Sequence, residues 1–181
     1  MAQALDDLLD SLEDADDATR EEAAKALAEL ANPATLDALI GACGDEFWSV
    51  RTRAGWGVAK IGGPKAIEAL IVLFNDPIME VRNEAVAAVV SLGAGQLDRL
   101  LAAMKDERWR VREHAAKACG DLHDSRAVDA LTFACRDRDG AVKSAAAEAL
   151  GKIGDPKAIP ALVKLFRDSS KIVRETAGIA L

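Results

Sequence analysis

The sequence predicts an all-α fold, a right-handed α-α superhelix (an α-solenoid) of about twelve antiparallel helices. Three observations predict it: a repeat of about 31 residues, two helical patterns within each repeat, and an alanine-rich composition. Half of the 181 residues are hydrophobic, but only 4% are aromatic and Tyr is absent. Such a composition favours closely packed helices over β-sheet.

The repeat is defined by an Asp that is followed six positions later by a basic residue. Its copies are DADDATR (14–20), DEFWSVR (45–51), DPIMEVR (76–82), DERWRVR (106–112), DRDGAVK (137–143) and DSSKIVR (168–174). The Asp recurs in steps of 31, 31, 30, 31 and 31 residues. A period of this length is typical of solenoids, in which each repeat packs on its neighbours.

These columns predict a single repeat domain over residues 1–181. Its five full repeats are 14–44, 45–75, 76–105, 106–136 and 137–167. An N-terminal half repeat, 1–13, and a C-terminal half repeat, 168–181, flank them.

Each full repeat contains two helical patterns separated by a turn. In the first, small or apolar residues lie on one helix face, as at Val50, Ala54, Gly57, Val58 and Ile61. The second shows the same periodicity at Ile67, Leu70, Ile71 and Phe74. Between them, Gly62 or Gly154 suits a left-handed helix end, and the following Pro cannot continue the first helix. An alanine column in the first helices allows close helix packing: Ala23, Ala54, Ala85, Ala115, Ala146 and Ala177.

The combined pattern, D-x4-V-R followed by A-x-x-A-L-G-x-I-G-D-P-x-A-I-x-A-L, resembles the HEAT-like repeats named after phycobilisome lyases. The resemblance covers the chain from Asp14 onward, and repeat 137–167 matches the pattern best. It implies a HEAT-repeat solenoid. Because this repeat class includes bilin lyase subunits, adaptors and scaffolds, the resemblance implies no particular activity.

Charge and hydropathy restrict the partners that we expect. The net charge is −7, and residues 1–22 hold nine acids against one base, which leaves 21 acids and 22 bases in the remainder. No sustained basic face is present, so we expect no nucleic-acid partner. No run of 18 apolar residues and no signal-peptide pattern is present, so we expect no membrane association and a cytoplasmic location.

The two ends of the repeat array differ. Leu5, Leu8, Leu9 and Leu12 match the second helix of a repeat, so the acidic opening helix is predicted to cap the solenoid. At the other end, Ile172 to Leu181 forms a first helix without a following partner. Two alternatives follow: the natural chain continues past Leu181, or this end packs on another copy to form a homo-oligomer.

The polar and thiol residues do not indicate catalysis. The Asp and Arg columns are predicted to form a structural ladder between adjacent repeats, with the Asp also serving helix starts. Cys43, Cys119 and Cys135 fall in core columns, where a thiol behaves as a small hydrophobe. We therefore predict no catalytic residue, no metal ligand and no cofactor.

The histidines are not expected to form an iron site of the kind found in deoxyhypusine hydroxylases, a related helical-repeat family that binds iron through paired His-Glu motifs. The nearest match is Glu113-His114, which has the reverse order and occurs once. The four-ligand set is therefore missing. His114 is predicted to lie outward, and His123 occupies a turn position where other repeats have Gly.

Large side chains that break the repeat pattern form the first candidate binding surface. Trp48, Met79 and Trp109 occupy one column in the connection to a first helix, and Phe47 precedes Trp48. We call these four residues the Trp ridge. Trp56 lies in a column that is otherwise outward-facing. Exposed aromatics of this kind are typical of binding surfaces, although each could instead pack over its neighbouring repeat.

The second candidate surface is the concave face formed by the second helices. Its outward column contains four acids, Asp37, Glu68, Asp98 and Asp129, and the adjacent column contains Phe133. This acidic row could receive a basic peptide. Acids are also favoured at helix starts by the helix dipole, and Lys65 and Arg126 are expected to offset Glu68 and Asp129.

We therefore predict a non-catalytic scaffold or adaptor whose partner is another protein or peptide. The alternative is a subunit of a bilin lyase or another chromophore-handling complex. A third interpretation, a designed solenoid, is disfavoured by the one-residue deletion and by the irregular Cys and Trp positions.

Overall fold

The computed structural model describes residues 2–181, which form twelve α-helices and no strand. The helices are α1 (Ala2–Ser11), α2 (Asp17–Leu30), α3 (Leu36–Ala42), α4 (Trp48–Ile61), α5 (Pro64–Leu73), α6 (Met79–Ser91), α7 (Leu97–Ala103), α8 (Trp109–Asp121), α9 (Val128–Ala134), α10 (Gly140–Ile153), α11 (Ile159–Leu165) and α12 (Lys171–Ile179). Short 3₁₀ turns, Pro33–Thr35, Ala94–Gln96, Ser125–Ala127 and Pro156–Ala158, precede four of the second helices. The predicted all-α fold is confirmed.

The chain divides into two compact units. The first unit, Met1–Leu92, contains α1 to α6, and the second, Gly93–Leu181, contains α7 to α12. In the first unit α4 packs between α2 and α6, with α3 and α5 against its other side. In the second unit α10 packs between α8 and α12. Each first helix thus contacts the first helix of a neighbouring repeat, as a solenoid requires.

The turns between paired helices follow the predicted chemistry. Gly154 ends α10 with φ 70° and ψ 20°, the left-handed conformation that glycine adopts without a Cβ clash. Gly62 ends α4 with φ 74° and ψ −164°, a positive φ that suits glycine but is not the predicted left-handed helical conformation, and Pro64 is at the start of α5. His123 replaces glycine at the corresponding turn and still has a positive φ of 51°.

Small residues let consecutive first helices approach closely. All six residues of the alanine column are buried, and in the second unit α8 and α10 meet at Gly120 and Ala149. A Cβ on Gly120 would lie 2.6 Å from the Ala149 Cα, so no larger residue fits without moving the backbone. In the first unit, a Cβ on Gly57 would lie 3.0 Å from the Ala28 Cβ. Contacts between first helices therefore depend on close backbone approach, while large side chains such as Leu70 and Leu131 fill the core on the side of the second helices.

The predicted ladder of charged pairs is present inside both units. Arg51 Nε and Nη2 donate to Asp76 Oδ2 and Oδ1 at 2.6 and 2.8 Å, and both side chains are buried. Arg20 forms the same two-bond contact with Asp45, and Arg112 with Asp137. Lys143 donates to Asp168 at the corresponding position. Such fork-shaped contacts fix the geometry of both partners.

Two further ladder residues, Arg82 and Asp106, have hydrogen-bond partners other than each other. Arg82 Nη1 donates to the backbone oxygens of Asp76 and Pro77 in the loop before its own helix. Asp106 accepts from Arg108, two residues later, at 2.8 and 2.9 Å.

The ladder carboxylates also shape the loops before the first helices. Asp45 Oδ1 accepts a hydrogen bond from the Phe47 amide at 2.7 Å, and Asp76 Oδ1 accepts from Ile78 at 2.8 Å. Phe47 and Ile78 are the N-cap residues of α4 and α6. The Asp therefore acts two residues before the cap and not as the cap itself, so its predicted role at helix starts is indirect.

Removing the buried charge of one ladder pair should destabilise the protein strongly. We expect Asp76→Asn to lower the free energy of unfolding by about 3 kcal/mol, because Arg51 would keep a buried charge without a counter-charge. The matched control Asp37→Asn removes an exposed pair with Lys65 and should cost less than about 1 kcal/mol. Urea unfolding followed by circular dichroism measures both, and equal losses would contradict a structural role for the ladder.

Stability should also fall at acid pH. The hydrogen bond from Arg20 lowers the pKa of Asp45, and that from Lys143 lowers the pKa of Asp168, below the ordinary 3.8. A lowered folded pKa stabilises the protein fully above the unfolded value, and this contribution is lost as pH falls through the folded pKa. We expect the urea midpoint to fall as the pH drops below about 4, less steeply in Asp45→Asn. An identical pH profile in that variant would contradict this assignment.

Candidate functional site

The Trp ridge residues lie at the starts of first helices. Trp48, Met79 and Trp109 are the first residues of α4, α6 and α8. The sequence predicts them in the connections before these helices, so each helix begins earlier than predicted. Their exposed fractions are 46%, 57% and 37%, and Phe47 is also exposed. Each stands two residues before a fully buried Val, which is about 200° away around a helix. The core-facing column therefore directs the ridge residues towards solvent.

Trp109 has a cation against its ring. The guanidinium carbon of Arg110 lies 4.7 Å from the centroid of the Trp109 ring, within the range of a cation–π contact. The residue that follows Trp48 is Ser49, which is buried and donates to Glu21 Oε2 at 2.7 Å. Within residues 2–181 no cation–π contact to the Trp48 indole is present.

Trp56 lies on the outer stripe of α4, as predicted, but it is half-buried. Its Nε1 donates to Glu84 Oε2 on α6 at 2.9 Å. Trp48, Thr52 and Trp56 follow one another at four-residue intervals, so they share one helix face. The small Thr52 side chain separates the two indoles.

This stripe forms the floor of an open groove of about 360 Å³ in the first unit. The groove is lined by residues of three consecutive first helices: Glu21, Trp48, Ser49, Thr52, Arg53, Trp56, Glu80 and Glu84. Arg53 Nε donates to Glu21 Oε1 at 3.2 Å, so one of the three carboxylates is paired with a cation. Glu80 is exposed and has no ion-pair partner among the described residues. The groove therefore combines two indoles with an excess of negative charge.

Sequence reasoning missed the acidic wall of this groove. Glu80 and Glu84 are four residues apart, and this spacing places them on one face of α6. That spacing is visible in the sequence, but the position of α6 beside Trp48 and Trp56 is a tertiary feature.

The predicted acidic residues of the second helices are all exposed. Asp37, Asp98 and Asp129 lie in the first turns of α3, α7 and α9, where the helix dipole favours an acid. Glu68 is the fifth residue of α5, because this helix begins directly at Pro64 without a 3₁₀ turn. Phe133, on α9, is 74% exposed.

The bases expected to offset these acids have other partners. Lys65 Nζ donates to Asp37 of the preceding repeat at 2.9 Å and not to Glu68. Arg126 donates to Asp124 and not to Asp129. The predicted offsets of Glu68 and Asp129 were wrong: Lys65 reaches an acid of the preceding repeat, and Asp124 lies next to Arg126 because its carboxylate also accepts from the Arg126 amide.

The position of His114 also differs from the prediction. It was predicted to lie outward with Arg53 and Glu84, but it is 1% exposed. Its Nδ1 lies 2.8 Å from the Arg110 backbone oxygen, so a ring nitrogen has a partner within its own helix. The corresponding residue of the next repeat, Ala145, is also buried, so this position faces inward in the second unit, whereas Arg53 and Glu84 are exposed in the first. His123 lies in a turn, as predicted, with Nδ1 2.9 Å from the Lys152 oxygen.

The cysteines occupy apolar surroundings. Cys119 and Cys135 are buried and Cys43 is half-buried, in agreement with their predicted core columns. Burial raises the pKa of Cys43 and Cys119 to about 12 and that of Cys135 to about 11. A thiolate, the nucleophilic form, is therefore disfavoured at all three positions.

Residues 2–181 contain no group of three or more His, Cys, Asp or Glu side chains that could hold a metal ion. No single helix in this range is long and apolar enough to cross a membrane, although Met79–Ser91 and Ala94–Ala103 together reach the required length and composition.

The repeated helix pairs, the small-residue contacts and the ladder define a tandem helical-repeat protein. The family model for HEAT repeats matches residues 5–90 and 97–181. The chain belongs to the HEAT-repeat family, which confirms the resemblance seen in the repeat pattern. No curated protein matches it.

Several solved structures have a similar fold. The complex of CpcE and CpcF of phycocyanin lyase from Nostoc sp. PCC7120 aligns with a TM-score of 0.64 and 21% identity, over 82% of this chain and 99% of that chain. Human deoxyhypusine hydroxylase has a TM-score of 0.50 and 20% identity, over 98% and 83%. Computationally designed armadillo repeat proteins for modular peptide recognition have 0.50 and 21%, over 97% and 98%. The structural alignments show a shared fold, and sequence identities this low do not show a shared activity.

The raised thiol pKa values predict unreactive cysteines. At about pH 8 the native protein should react slowly with a thiol reagent such as dithionitrobenzoate, because little thiolate is present. In urea all three thiols should react rapidly, which provides the control. Fast stoichiometric labelling of one Cys in the native protein would contradict the inert assignment.

Proposed function

We propose that this protein is a non-catalytic scaffold or adaptor that binds another protein through the Trp ridge. One observation carries the proposal: large apolar side chains begin successive first helices and stay exposed while their neighbours two residues later are buried. Exposed Trp and Met side chains of this kind commonly form the centres of protein interfaces.

The fold supports this proposal. Stacked repeats within a unit present the same position at regular intervals, so Trp48 and Met79 begin neighbouring first helices of the first unit. The CpcE and CpcF structure is that of a complex, and the designed armadillo proteins were made for peptide recognition. A partner-binding role is therefore compatible with this architecture.

The alternative surface is formed by the second helices. Phe133 is exposed there, and Asp37, Glu68, Asp98 and Asp129 add negative charge. We favour the Trp ridge because Asp37, Asp98 and Asp129 already serve helix starts and Asp37 is paired with Lys65. The experiment below compares the two surfaces directly.

The ridge should be required for partner capture but not for helicity. We expect Trp48→Ala plus Trp109→Ala to abolish capture of partners from a lysate of the source organism, measured by pull-down and mass spectrometry. Loss of each interface Trp typically costs about 2 kcal/mol or more of binding free energy. The far-ultraviolet circular dichroism spectrum should be unchanged.

Phe133→Ala is the matched control for this experiment. It removes a large exposed aromatic side chain from a second helix, and we expect capture to persist. Unchanged capture by the double Trp variant would refute the ridge, and loss in Phe133→Ala alone would assign binding to the second helices. For the bilin-lyase alternative, an absorption titration with a bilin is decisive, because binding would shift the pigment spectrum.

A further inference from the structure

The groove along α4 has the composition of a site for a cation. Trp48 and Trp56 form its floor, and Glu80 and Glu84 form the wall on α6. Trp faces attract cations more strongly than other aromatic rings do, and a carboxylate beside the ring adds a charged hydrogen-bond acceptor. Its volume of about 360 Å³ lies near the lower end of ligand-pocket sizes, which suits side chains better than a large cofactor.

The second unit shows which cation fits this repeat position. Trp109 occupies the same column as Trp48, and the guanidinium of Arg110 lies 4.7 Å from its ring centroid. In the first unit the residue corresponding to Arg110 is Ser49, which is turned towards Glu21. Trp109 thus has an arginine of the same chain over its ring. Trp48 instead has Glu80 and Glu84 in its groove, and no cation of the described residues lies over its ring.

The charge balance of the groove favours an incoming cation. Glu21 is held by Ser49 and Arg53, so it contributes little to a ligand. One oxygen of Glu84 accepts from Trp56, and no described residue forms an ion pair with Glu80. Two carboxylates therefore face the groove with acceptor capacity left, next to two indoles.

The corresponding groove of the second unit lacks these features. It lies along α10 and is lined by Glu113, Lys117 and Glu148 among others, without an aromatic residue. Lys117 donates to Glu113 at 2.7 Å, so its charge is balanced inside the chain. Of the two grooves, along α4 and along α10, the one along α4 combines indoles with carboxylates that have no ion pair among the described residues.

We propose that the groove along α4 binds an arginine side chain of a partner protein, with the guanidinium over the Trp48 indole and hydrogen-bonded to Glu80 or Glu84. This inference rests on the proposed scaffold function and names the chemistry of its partner. The proposal assigns recognition of a positively charged partner residue to the first unit.

The test uses a fluorescent peptide of alternating Gly and Arg, with a control peptide that has citrulline at every Arg position. Citrulline keeps the shape of arginine but is uncharged. Binding to the full chain is followed by fluorescence anisotropy at physiological ionic strength. We expect the citrulline peptide to bind at least about tenfold more weakly, given the strength of desolvated cation–π contacts.

Matched variants separate the groove from general attraction by the acidic protein. Glu80→Gln plus Glu84→Gln should weaken arginine-peptide binding by about tenfold, as should Trp48→Ala. Asp37→Asn plus Glu68→Gln removes the same charge from the second helices of the same unit and should leave binding unchanged. Equal weakening by both charge variants, equal binding of the two peptides, or no binding at all would overturn the inference.

The outcomes are distinguishable from those for the scaffold proposal. Loss of natural partners in the Trp48 and Trp109 double variant, with no binding of the arginine peptide, would refute the arginine site and keep the scaffold. Selective arginine-peptide binding with unchanged partner capture would refute the ridge as the partner surface and keep the arginine site.

Discussion

Within each unit, neighbouring first helices approach so closely that only small residues fit at contacts such as Gly57 with Ala28 and Gly120 with Ala149. The alanine column of these helices is also buried. Because these faces are reserved for Ala and Gly, large side chains of the first helices have to lie elsewhere. Trp48 and Trp109 occupy helix starts, and Trp56 occupies the outer stripe. Close packing therefore determines where a binding surface can form.

The charged ladder connects this packing to the Trp ridge. Arg51 reaches Asp76 of the following repeat, and its Nη1 also donates to the backbone oxygens of Asp45 and Glu46 at 2.8 and 3.0 Å. That loop leads directly into Phe47 and Trp48. Arg112 holds the loop before Trp109 in the same way. Each guanidinium thus positions a neighbouring repeat and the loop that carries an exposed aromatic.

Buried charge of this kind contributes more to geometry than to net stability. Desolvating an Arg and an Asp has a large cost that their attraction only offsets, so an apolar pair of equal volume is often as stable. A two-bond fork, however, specifies one register between repeats. Without that register the alanine column would not align, and the outer stripe of α4 would not lie beside Glu84.

Much of the fold was predictable because it depends on contacts that recur every repeat. The helices, the glycine turn at Gly154 and the Asp–Arg pairing all follow from columns in the sequence. The errors arise where one repeat differs from the others. His114 and Ala145 are buried at a position where Arg53 and Glu84 are exposed, and Lys65 pairs with Asp37 of the preceding repeat and not with Glu68.

The groove of the first unit was not predictable for the same reason. Its two indoles belong to α4 and its acidic wall to α6, and no column relates Trp56 to Glu84. Only the packing of neighbouring helices brings these side chains within hydrogen-bond distance. Periodicity identifies the face on which a residue lies, but it does not identify the residue that covers it.

The central claim is that the Trp ridge serves binding and not the packing of the repeats. The most direct measurement is the free energy of urea unfolding of Trp48→Ala compared with Leu70→Ala, whose side chain is fully buried. We predict a loss of about 1 kcal/mol or less for Trp48→Ala and about 3 kcal/mol for Leu70→Ala. A loss for Trp48→Ala as large as that for Leu70→Ala would show that the indole is a packing element, and it would contradict the account.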